Sequence, residues 1–496
     1  MLDGALTWRQ IGAVAQGADV VLSPAACGRV RAAREIVESI VAAGARAYGI
    51  TTGVGALCDV VVDRGSLARL SRNIVMSHAV GVGTPLGTPE TRAIIAAAIN
   101  QFSLGHSGVR LEVVDALATL LRRDCIPEVP ADGSVGYLTH MAHIALLLLG
   151  AGTAHLAGKR LAGAEALRAI GLAPLVLEAK EGLSLVNGTP CASGLAAVAL
   201  LRAERLLDWA DAIAALTFEN LRGQLPAFDA EALALRRSPG LAKVGEGLRS
   251  ALAGSARLAD SAGLRTQDAL SLRAIPHVHG AARDVFEFVA GVVDRELESV
   301  TDNPAVSGGR SAPRVLAEAH AVGAGIGLAM DTFGTAAAQV AALSERRLDR
   351  LVNPLVSGLP AFLAADAGAA SGFMIAQYTA VSLTAENRRL AAPASLDGGV
   401  TSALQEDFLC HATPAALKAL KILDNLEIIL AIELLAAGQA WDLTGGGPAR
   451  APRNERLHRA LRAAVDFYRD DRPLADDIER TRTWLRAVHP LDLAGS

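Results

Sequence analysis

Long runs of apolar residues at helical spacing constrain this chain most. Alanine and leucine recur in this pattern through residues 196–215, 322–343 and 415–437. Such periodicity is typical of amphipathic or buried helices. Strand-like alternation is limited to short pieces at 18–22 and 59–62, and no phosphate-binding loop or Gly-x-Gly-x-x-Gly motif follows a strand. The sequence therefore predicts a mostly α-helical, long-helix bundle and argues against a nucleotide-binding parallel sheet.

Length, charge and composition favour a protein that acts on a small molecule. A chain of 496 residues that is 51% apolar can bury a large core. Its formal net charge of -4, with both signs interspersed, offers no basic surface for nucleic acid or an anionic membrane. The apolar stretches at 141–158 and 426–441 carry His or Glu side chains and are predicted to be buried helices. We expect neither a nucleic-acid nor a membrane partner.

The N-terminus and the cysteines indicate a reduced, cytoplasmic protein. Residues 1–10 lack the basic and apolar parts of a signal peptide. Five scattered cysteines show no Cys-x-x-Cys spacing. No metal is predicted, since the pair His277 and His279 alone is a weak ligand pattern.

Glycine-rich stretches at 49–55, 131–136 and 445–448 mark the main loops. The chain is predicted to comprise an N-terminal active-site-bearing region at 1–190, a central long-helix bundle at 191–440 and a C-terminal helical arm at 441–496. The N-terminal region is predicted to be small and irregular in structure.

Five sequence blocks carry recognisable motifs. They are Tyr-Gly-Ile-Thr-Thr-Gly-Val-Gly at 48–55, Ser-His-Ala-Val-Gly-Val-Gly at 77–83, Glu-Gly-Leu-Ser-Leu-Val-Asn-Gly-Thr at 181–189, Gln-Asp-Ala-Leu-Ser-Leu-Arg at 267–273 and Gln-Glu-Asp-Phe at 405–408. In this order, they resemble the histidine/phenylalanine ammonia-lyase family of aromatic amino acid lyases. The resemblance implies a helix bundle of the histidine ammonia-lyase/fumarase type. It also implies a homotetramer whose active sites combine segments of different subunits.

The resemblance assigns the acid–base groups. Tyr48 would be the base that removes a proton from the substrate carbon, although a phenol is a poor base unless cations or donors lower its pKa. Glu406 would act near the ring and the leaving group, and His78 would line the pocket. The alternatives are a tyrosine that packs a glycine-rich loop, a histidine satisfied in the core and a glutamate in a structural ion pair.

The resemblance also assigns substrate-binding residues. Asn187 and Arg273 would hold the substrate carboxylate, for which a guanidinium fork is well suited. For Arg273 the alternative is a surface salt bridge at a helix end. Gln405, beside Glu406, is placed in the substrate-binding set by the same block.

The sequence departs from the family at its prosthetic group. In the family, Gly-Ser-Val-Gly is followed by Ala-Ser-Gly, which cyclises into a methylidene-imidazolone (MIO). Here Gly-Ser-Val-Gly at 133–136 runs directly into Tyr137, and Leu270 replaces a tyrosine of the MIO side. Ala-Ser-Gly does occur at Ala192, Ser193 and Gly194, but at the start of a predicted helix that does not impose the strain of cyclisation. The sequence therefore predicts no MIO and no other cofactor.

Without that electrophile, a leaving group that already carries a positive charge is favoured over an amino group that MIO would have to activate. Family members that lack the tripeptide, the ergothionases, release trimethylamine from a betaine. The sequence thus predicts a carbon–nitrogen lyase that removes trimethylamine from ergothioneine, giving thiourocanate, with hercynine as the next substrate. Aromatic faces at Tyr137, Tyr378 and Phe408 would bind the trimethylammonium group, each contact contributing roughly 0.5 to 2 kcal/mol. The alternative is that these three are ordinary core aromatics.

The sulfur of ergothioneine would meet a donor among His140, His143 and His277, which the sequence does not separate. Three other functions stay open. One is an MIO-type ammonia-lyase acting on histidine or another aromatic amino acid. The second is an elimination from a different betaine, and the third is an inactive lyase-fold interaction protein. The last is disfavoured because Tyr48, Asn187, Arg273 and Glu406 are all retained, a combination that a scaffold does not require.

Overall fold

The computed structural model describes residues 1–396 and 398–493, so the end of the predicted C-terminal arm lies outside the described residues. Through residue 220 the helices are α1 (Trp8–Ala15), α2 (Pro24–Ala43), α3 (Leu67–His78), α4 (Thr88–Ser103), α5 (Leu111–Arg122), α6 (Thr139–Leu148), α7 (Gly163–Ala169), α8 (Glu181–Val186) and α9 (Pro190–Asn220). They are followed by α10 (Ala230–Ala234), α11 (Pro239–Leu252), α12 (Ala256–Ala259), α13 (Leu270–Arg273), α14 (Ile275–Leu297), α15 (Ala324–Val352), α16 (Pro354–Ser357), α17 (Met374–Leu390), α18 (Ala412–Leu443), α19 (Pro452–Ala464) and α20 (Leu474–Ala487).

The mostly helical prediction is confirmed. The three segments with helical spacing correspond to α9, α15 and α18, which are 31, 29 and 32 residues long, and only the segment at 322–343 starts before its helix, by two residues. Local sequence explains where helices begin and end. At α2, Ser23 accepts a hydrogen bond from the Ala26 amide, Pro24 occupies the first turn, and Gly44 ends the helix in the left-handed conformation.

Short antiparallel strands connect the helices. They are β1 (Val82–Pro85), β2 (Ile126–Pro127), β3 (Pro130–Asp132), β4 (Thr153–Leu156), β5 (Lys159–Ala162), β6 (Ala305–Gly309) and β7 (Ala312–Leu316). The strand order is β1-β3, β2-β4-β5 and β6-β7. The predicted strand pieces at 18–22 and 59–62 form only the isolated bridges Leu2–Leu22 and Thr52–Val61. Strands of two to five residues are too short to show a period of two in the sequence.

The chain forms two compact units. The first comprises Met1–Leu201, Val289–Asp331 and Pro393–Leu417, and the second comprises Arg202–Phe288, Thr332–Ala392 and Lys418–Ser496. Each unit takes segments from more than one of the regions predicted at 1–190, 191–440 and 441–496, because long helices such as α9 run through both.

In the first unit, a buried apolar cluster joins α2 to the β6-β7 hairpin. Its members are Ala33, Ile36, Val37, Ile40, Ala47, Ile50, Leu67, Ala179 and Val306. Ala47 and Ile50 lie on either side of Tyr48, so this cluster anchors the loop that carries the predicted base.

In the second unit, a buried ion pair links α15 to α18. Arg347 donates from Nε to Glu433 Oε1 at 2.7 Å and from Nη2 to Oε2 at 2.8 Å. Thr217 and Ser344 donate their hydroxyl protons to the same carboxylate. Both charged side chains are fully buried, and such a pair is tolerated only when its hydrogen bonds are satisfied, as they are here.

Among the residues that the structure describes, two helical stretches are long and apolar enough to cross a membrane by length and composition alone. They are Glu181–Asn220, whose most apolar window is entirely buried, and Ala324–Val352, whose window is 56% buried. Core helices of a globular protein meet the same two criteria, so this is weak evidence for a membrane protein.

Candidate functional site

Glu406 lies at the centre of the predicted acid–base residues. Its carboxylate acts electrostatically on Tyr48, His78 and Tyr137. These side chains come from segments far apart in the sequence, yet all belong to the first unit. The fold thus brings together four of the residues predicted for the site.

A short hairpin positions Glu406. Its backbone exchanges two hydrogen bonds with Thr401, and the Thr401 hydroxyl donates to Glu406 Oε2 at 3.0 Å. Between them, Ser402, Ala403 and Leu404 all have positive φ angles of 50° to 74°. Conformations of this kind are rare for residues with a Cβ and cluster at functional sites. Thr401 is a positioning residue that sequence comparison of the motif alone did not identify.

Tyr48 lies on a tight loop that follows α2. The Thr51 hydroxyl accepts from the Ala47 amide at 2.9 Å and donates to the Ala45 carbonyl at 2.7 Å, which closes the loop. Gly49 has φ +63°, and a Cβ there would lie 2.4 Å from Leu183 Cδ2. Only glycine therefore permits the close approach of this loop to α8.

The environment of Tyr48 keeps its hydroxyl protonated. Burial raises the pKa of Tyr48 above its ordinary value, and the negative charges of Cys58, Glu406 and Asp302 raise it further. A hydrogen bond from the Gly55 amide opposes this shift by stabilising the phenolate. Within one chain, the net effect is a raised pKa of Tyr48. The phenol is therefore rarely ionised, and the phenolate, once formed, is a strong base.

His78 ends α3 and is half-buried. Burial lowers the pKa of His78, although the Glu406 carboxylate opposes that shift. Its Nδ1 lies 3.1 Å from the Ser77 hydroxyl. A neutral ring is therefore favoured at neutral pH, and it can exchange hydrogen bonds with a substrate ring.

Tyr137 lies at the start of α6 and is 9% exposed. Burial raises the pKa of Tyr137 to about 12, and the nearby Glu406, Cys410 and Tyr48 contribute to the shift. Its phenol is therefore protonated at neutral pH. The structure places Tyr137 within electrostatic range of Tyr48 and Glu406, and its contact with the substrate stays a prediction.

Asn187 lies directly after α8, where its Nδ2 donates to the Asn303 carbonyl at 2.6 Å. An amide nitrogen carries two protons, so a second donor is available for a substrate carboxylate. The neighbouring Asp302 forms a buried ion pair with Lys180 at 2.9 Å. Asp302 also acts on Tyr48. The sequence analysis missed this pair, because an isolated Lys and Asp 122 residues apart give no local signal.

Arg273 and Tyr378 belong to the second unit. Arg273 Nε is buried without a hydrogen-bond partner among the residues that the structure describes. The predicted alternative, a salt bridge at a helix end, is not formed within the described parts of the chain. Tyr378 is 63% exposed, and Leu270, three residues before Arg273, is also on the surface.

Gln405 and Phe408 flank Glu406 but are exposed, Phe408 to 61%. Both stay predictions as substrate contacts. Two of the three histidines predicted to bind the sulfur form hydrogen bonds to the backbone. His140 Nε2 lies 3.0 Å from the Ala131 carbonyl, and His143 Nε2 accepts from the Gly81 amide at 3.0 Å. His277 lies in the second unit.

Comparisons with known proteins identify the family. Residues 6–463 match the family model described as aromatic amino acid lyase. The histidine ammonia-lyase of Anaeromyxobacter sp. (strain K) is 45% identical over 495 residues, which cover 97% of each chain. The chain belongs to the aromatic amino acid lyase family.

Solved structures agree with the fold of this lyase. The crystal structure of histidine ammonia-lyase from Trypanosoma cruzi has a TM-score of 0.91 at 34% identity, covering 99% of this chain and 94% of that one. The ergothionase of Treponema denticola has a TM-score of 0.90 at 27% identity, covering 97% of both chains. The predicted long-helix bundle of the histidine ammonia-lyase type is confirmed.

Two predictions are corrected by these comparisons. One is the release of trimethylamine from ergothioneine or hercynine, and the other is the absence of a cofactor. A relative that shares 45% of its residues with this lyase is named histidine ammonia-lyase, whereas the ergothionase shares 27%. Both predictions depended on a three-residue omission, while most pocket residues lie elsewhere in the chain. The comparisons favour the alternative of an ammonia-lyase.

The residues that the structure describes do not fit MIO in either candidate segment. At the family position, Tyr137, Leu138 and Thr139 follow Gly136. At the second segment, Ser193 lies inside α9, where its hydroxyl donates to the Thr189 carbonyl at 2.9 Å. A Cβ at Gly194 would lie 2.8 Å from the backbone of Ala93, so α9 packs closely against α4 at this point.

Proposed function

We propose that this lyase releases ammonia from histidine or from another aromatic amino acid. The observation that carries the proposal is 45% identity, over nearly the whole chain, to a relative named histidine ammonia-lyase. The cluster of Tyr48, His78, Tyr137 and Glu406 supports it. An elimination of this kind needs a base, a binding site for the ring and a binding site for the amino acid group.

The reaction breaks the C–H bond at the β-carbon and the C–N bond at the α-carbon. The proton passes to the enzyme base, the C–H electron pair forms the new C=C bond, and ammonia leaves with the electron pair of the C–N bond. The substrate nitrogen begins as an ammonium group, so it leaves as neutral ammonia without a further proton. The product is an acrylate conjugated with the aromatic ring.

Tyr48 is proposed as the base. Its raised pKa means that few molecules carry the phenolate at neutral pH, but each phenolate is a strong base. The Gly55 amide is the donor that stabilises it within this chain.

The remaining roles divide between binding the carboxylate and binding the rest of the substrate. Asn187 and Arg273 are proposed to bind the carboxylate, the guanidinium providing a two-pronged contact. His78 and Glu406 are proposed to contact the ring, and Glu406 also faces the leaving group. The substrate-facing surface is completed, in this proposal, by Tyr137, Tyr378, Gln405 and Phe408.

We further propose that the protein is a cytoplasmic homotetramer whose sites combine residues from different subunits. Arg273 supports this, since its buried Nε has no partner among the described residues of one chain. A closed symmetric assembly is the usual arrangement for an oligomer of identical chains.

The test is a substrate panel. Purified enzyme is mixed separately with histidine, phenylalanine, tyrosine, ergothioneine and hercynine, and ammonia, trimethylamine and ultraviolet absorbance are followed. The proposal expects ammonia and a conjugated acrylate from an aromatic amino acid. Trimethylamine from a betaine, with no ammonia from any amino acid, would overturn it.

Tyr48→Phe removes only the hydroxyl of the proposed base. Tyr468→Phe is the matched control, because the Tyr468 hydroxyl donates to the Arg472 carbonyl and lies outside the proposed site.

An intact-mass measurement on the same preparation reports on the prosthetic group, because cyclisation of Ala-Ser-Gly removes water. A mass below that of the sequence would mean that a cyclised group is present. A mass equal to that of the sequence, together with ammonia release, would mean that the side chains alone support the elimination.

A further inference from the structure

A strained turn lies between Tyr137 and α6. Leu138 has φ 76° and ψ -68°, and the Thr139 amide donates to the Tyr137 carbonyl at 3.1 Å. A hydrogen bond between residues two apart, around a residue of this conformation, defines the rare and strained form of γ-turn. Leucine carries a Cβ, so it adopts this conformation less readily than glycine does.

Neighbouring contacts hold the turn in place. The Ser134 hydroxyl donates to the Tyr137 carbonyl at 3.1 Å, and the Leu138 amide donates to the Val186 carbonyl at 3.0 Å. Gly136, just before the turn, has φ +141°, and a Cβ there would lie 2.8 Å from Cys410 Sγ. A strained residue persists only where its surroundings fix it, and such residues concentrate at functional sites.

The turn directs a buried aromatic residue to the site. Tyr137 is 9% exposed and shares the electrostatic environment of Tyr48 and Glu406. No hydrogen bond among the described residues involves its hydroxyl, and this oxygen is not one of the buried polar atoms left without a partner. The side chain is therefore largely buried, while its hydroxyl end stays accessible to a ligand.

The same turn is joined to the proposed carboxylate-binding segment. Val186, whose carbonyl accepts from the Leu138 amide, immediately precedes Asn187. In an α-amino acid, a single carbon separates the ammonium group from the carboxylate. A protein that binds both groups must therefore hold the two contacting segments at a fixed separation.

We propose that Leu138 is a positioning residue whose strained turn fixes the Tyr137 ring against the α-ammonium group of the substrate, at a set distance from Asn187. The inference rests on the proposed function and deepens it by assigning recognition of the ammonium group. The ring face binds the cation, as aromatic faces bind ammonium groups elsewhere. Leu138 itself does not touch the substrate.

The test compares two substitutions at one position. Leu138→Pro fixes φ at about -65° and removes the amide that donates to the Val186 carbonyl, so it abolishes the turn, and kcat/KM is expected to fall about tenfold to a hundredfold through misplacement of the ring. Most of the change is expected in KM, because the ammonium contact exists before the reaction begins. Leu138→Gly is the matched control, because glycine adopts the φ of this turn without strain and keeps both backbone hydrogen bonds. Its kcat/KM is expected to stay within about twofold of the wild type, and its melting temperature to stay level or rise.

A second measurement does not depend on catalysis. The chain has four tyrosines, so incorporation of 3-fluorotyrosine gives a simple fluorine NMR spectrum, in which Tyr137→Phe identifies one resonance. In Leu138→Pro that resonance is expected to shift or broaden while the others stay unchanged, which also shows that the variant is folded. An unchanged Tyr137 resonance, or wild-type kcat/KM, in the folded Leu138→Pro variant would overturn the inference. If the wild type releases no ammonia, the proposed function fails, but the fluorine spectrum still decides whether the turn positions Tyr137.

Discussion

At the scale of single residues, burial and one carboxylate set the electrostatics of the site. Burial is the main cause of the raised pKa of Tyr48 and Tyr137 and of the lowered pKa of His78, while Glu406 adds to the first two shifts and opposes the third. Two phenols therefore stay protonated at neutral pH, and the histidine stays neutral despite Glu406. Groups with shifted pKa values in one cluster are typical of active sites.

The pH dependence of the rate tests Tyr48 as the base. Because the pKa of Tyr48 is raised, its phenolate fraction grows tenfold per pH unit throughout the neutral range. We expect log kcat/KM to rise with a slope of about 1 between about pH 7 and pH 9. Tyr48→Phe is expected to lower kcat/KM by about 10²- to 10⁴-fold, the usual contribution of a general base. A flat profile, or full activity in that variant, would contradict the assignment.

Removing the charge of Glu406 should move that profile. In Glu406→Gln the nearby negative charge is absent, so the pKa of Tyr48 falls and the alkaline rise shifts to lower pH. The rate itself is expected to fall about 10²-fold if Glu406 also acts in the reaction. Glu406→Asp keeps the charge and serves as the control. An unshifted profile in Glu406→Gln would show that Glu406 does not act on the base.

At the scale of secondary-structure elements, the site depends on connections between short segments rather than on the long helices. The loop after α2 carries Tyr48, the end of α8 carries Asn187, and the segment before β6 carries Asp302. The ion pair of Lys180 and Asp302 joins α8 to the segment before β6, and neither side chain is exposed. Lys180 also donates to the Ser184 hydroxyl at 2.8 Å, within α8.

This ion pair gives a stability prediction. Lys180→Met leaves the Asp302 charge buried without a partner, which is expected to lower the unfolding free energy by about 3 to 5 kcal/mol. The double variant Lys180→Met with Asp302→Asn buries no charge and should recover part of the loss. Thermal and urea unfolding of the two variants and the wild type measure this. A double variant no more stable than the single one would mean that the loss comes from packing around Lys180.

At the scale of the whole molecule, the proposed residues are distributed over two units. Tyr48, His78, Asn187 and Glu406 belong to the first unit, and Arg273 and Tyr378 belong to the second. Under the proposed homotetramer, one site takes Tyr48 and Arg273 from different chains. Two inactive variants can then complement each other.

Co-expression tests this arrangement. Tyr48→Phe and Arg273→Ala are each expected to be inactive, whereas mixed assemblies of the two should regain part of the activity, because some sites receive both intact residues. Light scattering establishes that the mixed preparation is a tetramer. Tyr48→Phe with Glu406→Gln is the control pair, since the fold brings these two residues together within one chain, and no activity should return. Equal recovery in both pairs would contradict the shared site.

Local sequence determined much of this protein. Helical periodicity identified α9, α15 and α18, because a helix repeats its contacts every few residues along the chain. Motif order identified the family, because the blocks resemble known ones residue by residue. The substrate prediction failed because it depended on a short omission, and identity over the whole chain outweighed it.

Tertiary structure alone decided what surrounds those motifs. The approach of Asp302 and Glu406 to Tyr48 joins residues more than 200 positions apart, for which the sequence holds no local signal. The strained turn at Leu138 likewise cannot be read from its sequence, since leucine has no preference for it and only the contacts with Ser134 and Val186 hold it. Sequence fixes what repeats along the chain, while burial, charge proximity and strain depend on which distant segments the fold brings into contact.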